Sequence, residues 1–172
     1  IVANYSRWVI DLNRDPKSEA LYDDGRIITG LVSRHSFLGE AIYRNDIILA
    51  PSDTELRLAN YYWPYYNEIA TILSDFKSEF DKALFFDAHS IRKHVATIQK
   101  QAFPDLILGD NDEKSADKNL IDKTLAILQS SKYEVAHNKP FKGGHLTRYF
   151  GNPANNIHAL QLEIAKINYM DD

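Results

Sequence analysis

Lys82-Ala83-Leu84-Phe85-Phe86-Asp87 is a short apolar run that ends in Asp87-Ala88-His89-Ser90, and it follows directly on an amphipathic helix. In that helix Ile69, Ile72, Leu73, Phe76 and Phe80 recur at i, i+3, i+4, i+7 and i+11, one apolar stripe of the kind that packs against a sheet. A helix feeding a buried strand that breaks into polar residues is the unit from which α/β domains are built.

Working outward, the helical stretch is expected to begin at Ser52 or Asp53 and to be broken or kinked at Pro64. Upstream, Val2 to Leu12 alternates and then runs apolar through Trp8-Val9-Ile10, which reads as a buried central strand ending in the polar cluster Asp11, Asn13, Arg14, Asp15. Asp15 to Asp53 is rich in turn residues and reads as a long irregular excursion. Downstream, the pattern predicts strands over Asp105 to Leu108, Tyr133 to Ala136 and Ile157 to Ile167. A helix is expected over Asp117 to Ser130 with Leu120, Thr124, Ile127 and Leu128 inward. Strands alternating with helices predict an α/β fold with a mixed, mostly parallel sheet and helices on both faces, three layers in a single domain over 1–172.

Composition narrows the function. With 44% hydrophobic and 26% charged residues over 172 positions the chain has enough apolar content for a real core. Twenty Lys and Arg against 24 Asp and Glu leave a net charge of -4, so there is no basic field to collect nucleic acid or an anionic membrane. No apolar run approaches the roughly 20 residues that span a bilayer. The absence of cysteine excludes a disulfide scaffold, a thiolate metal site and a Cys nucleophile, and it fits a reducing compartment such as the cytoplasm.

Four groups of residues carry chemistry. His89 follows a buried strand beside Asp87, an acid placed to orient its ring, or else it is a histidine satisfied by hydrogen bonds. Arg7 with Asn13 and Arg14 offers two guanidinium groups and an amide suited to gripping a carboxylate; surface ion pairing is the alternative. Glu163 stands in an otherwise apolar strand, either as a buried ion pair or as a general base. In Asn138 to Arg148, Gly143-Gly144 gives backbone freedom between the cations Lys142 and Arg148, a loop that could clasp an anion or close as a lid, or simply a solvated hairpin. Phosphate-loop glycine motifs, a GxSxG elbow and HExxH are all missing. Tyr61-Tyr62-Trp63-Pro64-Tyr65-Tyr66 lacks interleaved basic residues and reads as a packing face.

Together, Ser6 to Pro16, Gly39 to Tyr43, Tyr62 to Tyr66, Asp87 to Ser90, Pro104 to Gly109, Asn138 to Gly144 and His158 to Ile164 through Asp171 resemble, in order, the N-formylglutamate amidohydrolase family, relatives of the zinc carboxypeptidases and aspartoacylases. The resemblance implies a carboxypeptidase-like fold and hydrolysis of an amide by zinc-bound water. On it, His89 matches a zinc ligand, Arg7 the cation that polarises the scissile carbonyl, Asn13 and Arg14 the pair that holds the substrate carboxylate, and Glu163 the general base. The family's first zinc ligands are expected in an amino-terminal segment ahead of Val2, which this sequence lacks. Ala116 stands where relatives often have Cys, and Asp172 where Glu is usual.

The implied reaction is N-formyl-L-glutamate to formate and L-glutamate, in histidine degradation, with zinc as cofactor and a small N-acyl amino acid as partner, without nucleic acid or membrane. Two alternatives stay open. One is a relative acting on another N-acyl amino acid or peptide amide, since Arg14 recognises only a carboxylate. The other is a carboxylate-binding domain that has lost its metal.

Overall fold

The computed structural model describes residues 2–17, 29–36 and 39–171. The chain falls into two compact units, Ile1–Ile72 and Leu73–Asp172.

In the first unit the Trp8-Val9-Ile10 run is not a strand. Val9 N–H donates to Ser6 O at 2.9 Å in a turn, and Asp11 N–H donates to Leu31 O at 2.8 Å. The segment is instead tied by side chains. Arg57 Nη1 donates to Val9 O at 2.7 Å, Tyr66 OH to Leu12 O at 2.7 Å and Tyr62 OH to Arg14 O at 2.8 Å. Those side chains take the carbonyls that a neighbouring strand would otherwise have taken, which is why a buried apolar run survives here without a sheet. Of the excursion from Asp15 to Asp53, residues 18–28 and 37–38 lie outside the described residues, as does Asp172; the described part up to Ala50 is irregular apart from a bridge between His35 and Ala41.

Helix α1 (Pro51–Arg57) begins slightly before the expected start, with Asp53 Oδ2 accepting from Ala50 N–H at 2.7 Å. It passes through a π-helical segment, Leu58–Tyr62, into helix α2 (Trp63–Phe80), which runs across the division between the units. The expected break at Pro64 is therefore absorbed: a widened turn accommodates a residue without an N–H while the chain stays helical. Only part of the apolar stripe is covered, since Ile69 and Leu73 are buried whereas Phe76 and Phe80 are 48% and 58% exposed.

The second unit holds a four-stranded sheet in the order β1-β4-β2-β3, with β1 at Ala83–Ile91, β2 at Leu106–Gly109, β3 at Val135–His137 and β4 at Ile157–Ala165. β1 pairs with β4 and β2 with β3 in parallel, and β2 with β4 antiparallel, so the sheet is mixed and mostly parallel. The last strand in sequence is thus interior to the sheet. Side chains alternate across it. One face carries Leu108 and Leu160, which close a core with Ala116 and with Ile121 of helix α3 (Lys118–Gln129). The other carries Phe85, whose ring meets that of Phe150 on helix α4 (His145–Phe150) at 5.4 Å. Helices cover both faces, the expected α/β layering. Two local expectations fail: Ile127 points outward at 71% exposure, the core-facing residues of α3 being Leu120, Ile121, Leu125 and Leu128, and α4 occupies what read as loop. No helix among the described residues is long and apolar enough to cross a membrane.

Asp105 fastens one end of the sheet. Its carboxylate accepts from Lys93 Nζ at 2.7 Å and from Glu134 N–H at 3.0 Å, and its carbonyl accepts from Ala165 N–H at 2.8 Å. The bond from the Lys93 ammonium, then that from Glu134 N–H, holds its carboxyl below the usual carboxylate range. Stability from such a group is present above its unfolded value and lost as pH falls through the lowered folded one. Asp105→Ala should cost about 1 to 3 kcal/mol at pH 7 by denaturant unfolding, and the gap to wild type should narrow below about pH 4. A gap that does not change with pH would remove the carboxylate as its source.

Candidate active site

In the first unit, Arg7, Asn13 and Arg14 gather around Asp11, whose side chain is 5% exposed. Arg7 Nη2 is ion-paired with Asp11 Oδ2, Asn13 N–H donates to Asp11 Oδ1 at 3.1 Å, and Arg14 Nε lies 3.6 Å from Asp11 Oδ2. Arg14 is further oriented by Thr29, donating from Nε to its carbonyl and from Nη2 to its hydroxyl, both at 2.9 Å, and by Asn13 O at 3.0 Å from Nη1. A guanidinium held on several acceptors has its plane fixed before any ligand arrives, which is what bidentate recognition of a carboxylate requires. The aromatic cluster is the wall behind this segment. Tyr62 and Tyr66 stack at 4.1 Å, and their hydroxyls hold the carbonyls of Arg14 and Leu12.

In the second unit, strand parity brings a separate set of polar side chains together. β1 extends to Ile91, past the expected end at Asp87, so His89 lies within the strand. In the parallel register His89 is the partner of Glu163 and Asp87 of Gln161. These four side chains therefore share one face of two adjacent strands, whose spacing is roughly 4.8 Å. His89 Nε2 sits 2.8 Å from Asp87 Oδ2. Gln161 is buried, and its Nε2 donates to Glu163 Oε1 at 3.3 Å.

The same face is closed by the segment that carries Lys142. Gly144 N–H donates to Gln161 Oε1 at 2.6 Å. Gly109, opposite Gln161 across β2 and β4, makes room for it: a Cβ there would meet Gly143 N at 2.5 Å and Lys142 C at 2.7 Å. Gly143 itself has φ +105°, a conformation that favours glycine. Lys142 Nζ pairs with Asp112 at 2.8 Å, and this bond holds the Asp112 carboxyl below its ordinary range. Arg148 Nε donates to Gly143 O at 3.3 Å. The hairpin reading gives way to a short loop, tied to Gln161 through Gly144 N–H, that runs into α4.

The loop's anchor is Asp110, fully buried. Its Oδ1 accepts from Asn138 Nδ2 at 2.7 Å and from Glu113 N–H at 2.9 Å, and its Oδ2 lies 2.6 Å from His137 Nε2. The carboxylate thereby stabilises a left-handed run, Asn111, Asp112 and Glu113, at φ +57°, +57° and +64°. The sequence pattern points to neither Asp110 nor Gln161 as a functional residue. Gln161 had a signal: it lies two residues before Glu163, on the same strand face. Asp110 had none, because the two side chains that meet it come from 27 and 28 positions away.

A metal test follows from the donor set. Among the described residues no group of three or more His, Cys, Asp or Glu side chains is placed to hold a metal ion. His89 alone falls short of the roughly three protein ligands of a catalytic zinc.

Over residues 1–170 the sequence matches the model of the N-formylglutamate amidohydrolase family, and the chain belongs to that family. It is 39% identical over its whole length to an N-formylglutamate deformylase of Pseudomonas aeruginosa and 37% identical to one of Pseudomonas putida. It spans 64% of the length of each. The structure is similar to the crystal structure of an N-formylglutamate amidohydrolase from Ralstonia eutropha JMP134, with a TM-score of 0.77 and 27% identity over 96% of this chain and 63% of that one. A gene product of Agrobacterium tumefaciens at 19% identity and TM-score 0.71 shares the fold.

Gly109→Ala tests the close approach beneath the loop. Because the obstructing atoms are backbone, relief requires the 142–144 segment to move, and a loss of about 1 to 3 kcal/mol is expected. Proteolysis should also become faster within Asn138 to Gly144. Wild-type stability and protection would mean that the loop does not rest on β2.

Proposed function

We propose that the protein hydrolyses the amide bond of an N-formyl acidic amino acid, taking N-formyl-L-glutamate to formate and L-glutamate. The observation that carries this reading is the placement of Glu163. It is a half-buried carboxylate on a strand face that it shares with His89 and Gln161, in a chain matched by the family model almost end to end. The likeness to N-formylglutamate deformylases supports the substrate.

In this reading Glu163 takes a proton from the attacking water as its oxygen bonds to the formyl carbon. The carbonyl electron pair moves onto its oxygen, and the Arg7 guanidinium meets that charge. The carbon–nitrogen bond then breaks as the proton passes from Glu163 to the departing nitrogen, leaving formate and the free amine. Asn13 and Arg14 hold the substrate's carboxylate. Lys142 and Arg148 are assigned to anion binding. His89 is proposed as one ligand of zinc. Because the described residues do not complete a metal site, no step is routed through the ion. The expected setting, histidine breakdown in the cytoplasm, rests on the family resemblance.

The test is release of formate from N-formyl-L-glutamate by the full-length protein. Glu163→Gln keeps the size of the side chain and removes the base, so kcat should fall by roughly 10² to 10⁴ while substrate affinity and melting temperature hold. A fully active Glu163→Gln would remove the centre of the mechanism. Arg14→Ala should raise KM on the order of tenfold or more, the equivalent of a charge-assisted bond worth about 1.5 to 3 kcal/mol. It should also lower stability, since the contacts to Thr29 and Asn13 go with it. An unchanged KM with a collapsed kcat would reassign Arg14 to the oxyanion.

A further inference from the structure

We propose that Gln161 is a positioning residue for the reaction, orienting the carboxylate of Glu163 and tying it to the Lys142–Gly144 loop. The inference rests on the reading of Glu163 as base. Its chemistry is set by the direction of two hydrogen bonds. The partner on one side of the Gln161 amide is the backbone N–H of Gly144, at 2.6 Å, which can only donate. The amide oxygen must therefore face Gly144, and the amide nitrogen must face Glu163 Oε1, 3.3 Å away. That nitrogen can only donate, so it selects a Glu163 carboxylate presenting an acceptor on that side.

The arrangement restrains an intrinsically flexible side chain. A glutamate has three rotatable bonds, and its terminal torsion is broad. A general base must nevertheless hold its oxygen within a few tenths of an ångström of the proton it takes. Gln161 is itself nearly inaccessible, at 4% exposure, and sits on an interior strand two residues before Glu163, on the same face. It cannot swing away while Gly144 holds its oxygen. Gly144 is held in turn: Gly109 offers no side chain to push the loop off, Asn111 N–H donates to Lys142 O at 2.6 Å, and Thr147 packs beneath Gly143. A displacement of the loop would therefore be felt at Glu163 through one amide.

The experiment compares two variants in full-length protein. Gln161→Met removes both bonds at nearly constant volume. Gln161→Glu keeps an oxygen for Gly144 N–H but replaces the donor facing Glu163 with a second acceptor. If Gln161 orients the base, both variants should lose kcat on the order of 10- to 100-fold and KM should change less than about threefold, and Gln161→Glu should also melt below wild type, because it sets a second buried carboxyl against Glu163. In a Glu163→Gln background, Gln161→Met should cost no further kcat, because it acts through the group already removed. Wild-type kcat in Gln161→Glu, whatever Gln161→Met does, would reduce Gln161 to a tether for the loop and overturn the proposal. So would a full additional loss in the double variant. A Glu163→Gln protein with undiminished kcat would instead overturn the reading of the base itself, and the two failures are distinguished within one set of measurements.

Discussion

Strand β4 is hydrogen-bonded on both edges, parallel to β1 and antiparallel to β2, and this double pairing is the constraint on which the second unit depends. A strand paired on one side can slip by a residue at the cost of one ladder. A strand paired on both sides would break two ladders and turn every side chain to the opposite face. Here the slip would carry Leu160 out of the core it forms with Ile121 and Leu108, and would bring Gln161 and Glu163 into apolar surroundings. The hydrophobic contacts of one face thus hold the polar residues of the other in place.

The first unit solves a different problem by different means. Its Arg7 to Arg14 segment has no sheet to satisfy its backbone, and the peptide carbonyls of Val9, Leu12 and Arg14 are taken by Arg57, Tyr66 and Tyr62. Side chains from a helix impose no repeating geometry on what they hold. The chain between them is free to curl around Asp11, and that curl is what brings two guanidinium groups to one carboxylate.

Much of this was legible in the sequence, and the failures have a common cause. The stripe ending in Leu73, the strand from Ala83 and the core strand carrying Glu163 follow from periodicity, since burial on one face writes itself into spacing. Trp8-Val9-Ile10 misled because apolar residues report burial without saying what satisfies the backbone, and Ile10 is indeed buried. The interior position of β4 depends on which strands pair, a long-range matter on which local pattern is silent. The same holds for Asp110, whose importance exists only once His137 and Asn138 arrive beside it. Helix α4 was hidden by its brevity: six residues after a glycine pair carry too few turns to show a period.

The separation of the two sheet faces has a practical side. The apolar cluster beneath α3 contributes to stability but supplies none of the side chains assigned to chemistry, whereas the face under α4 carries His89, Gln161 and Glu163. Because that cluster keeps β4 in register, the inward side of α3 has to be left intact, and protein engineering for expression or heat tolerance is confined to its outward side. Ile127, 71% exposed on the outer side of that helix, is a natural first position at which to exchange an oily side chain for a charged one.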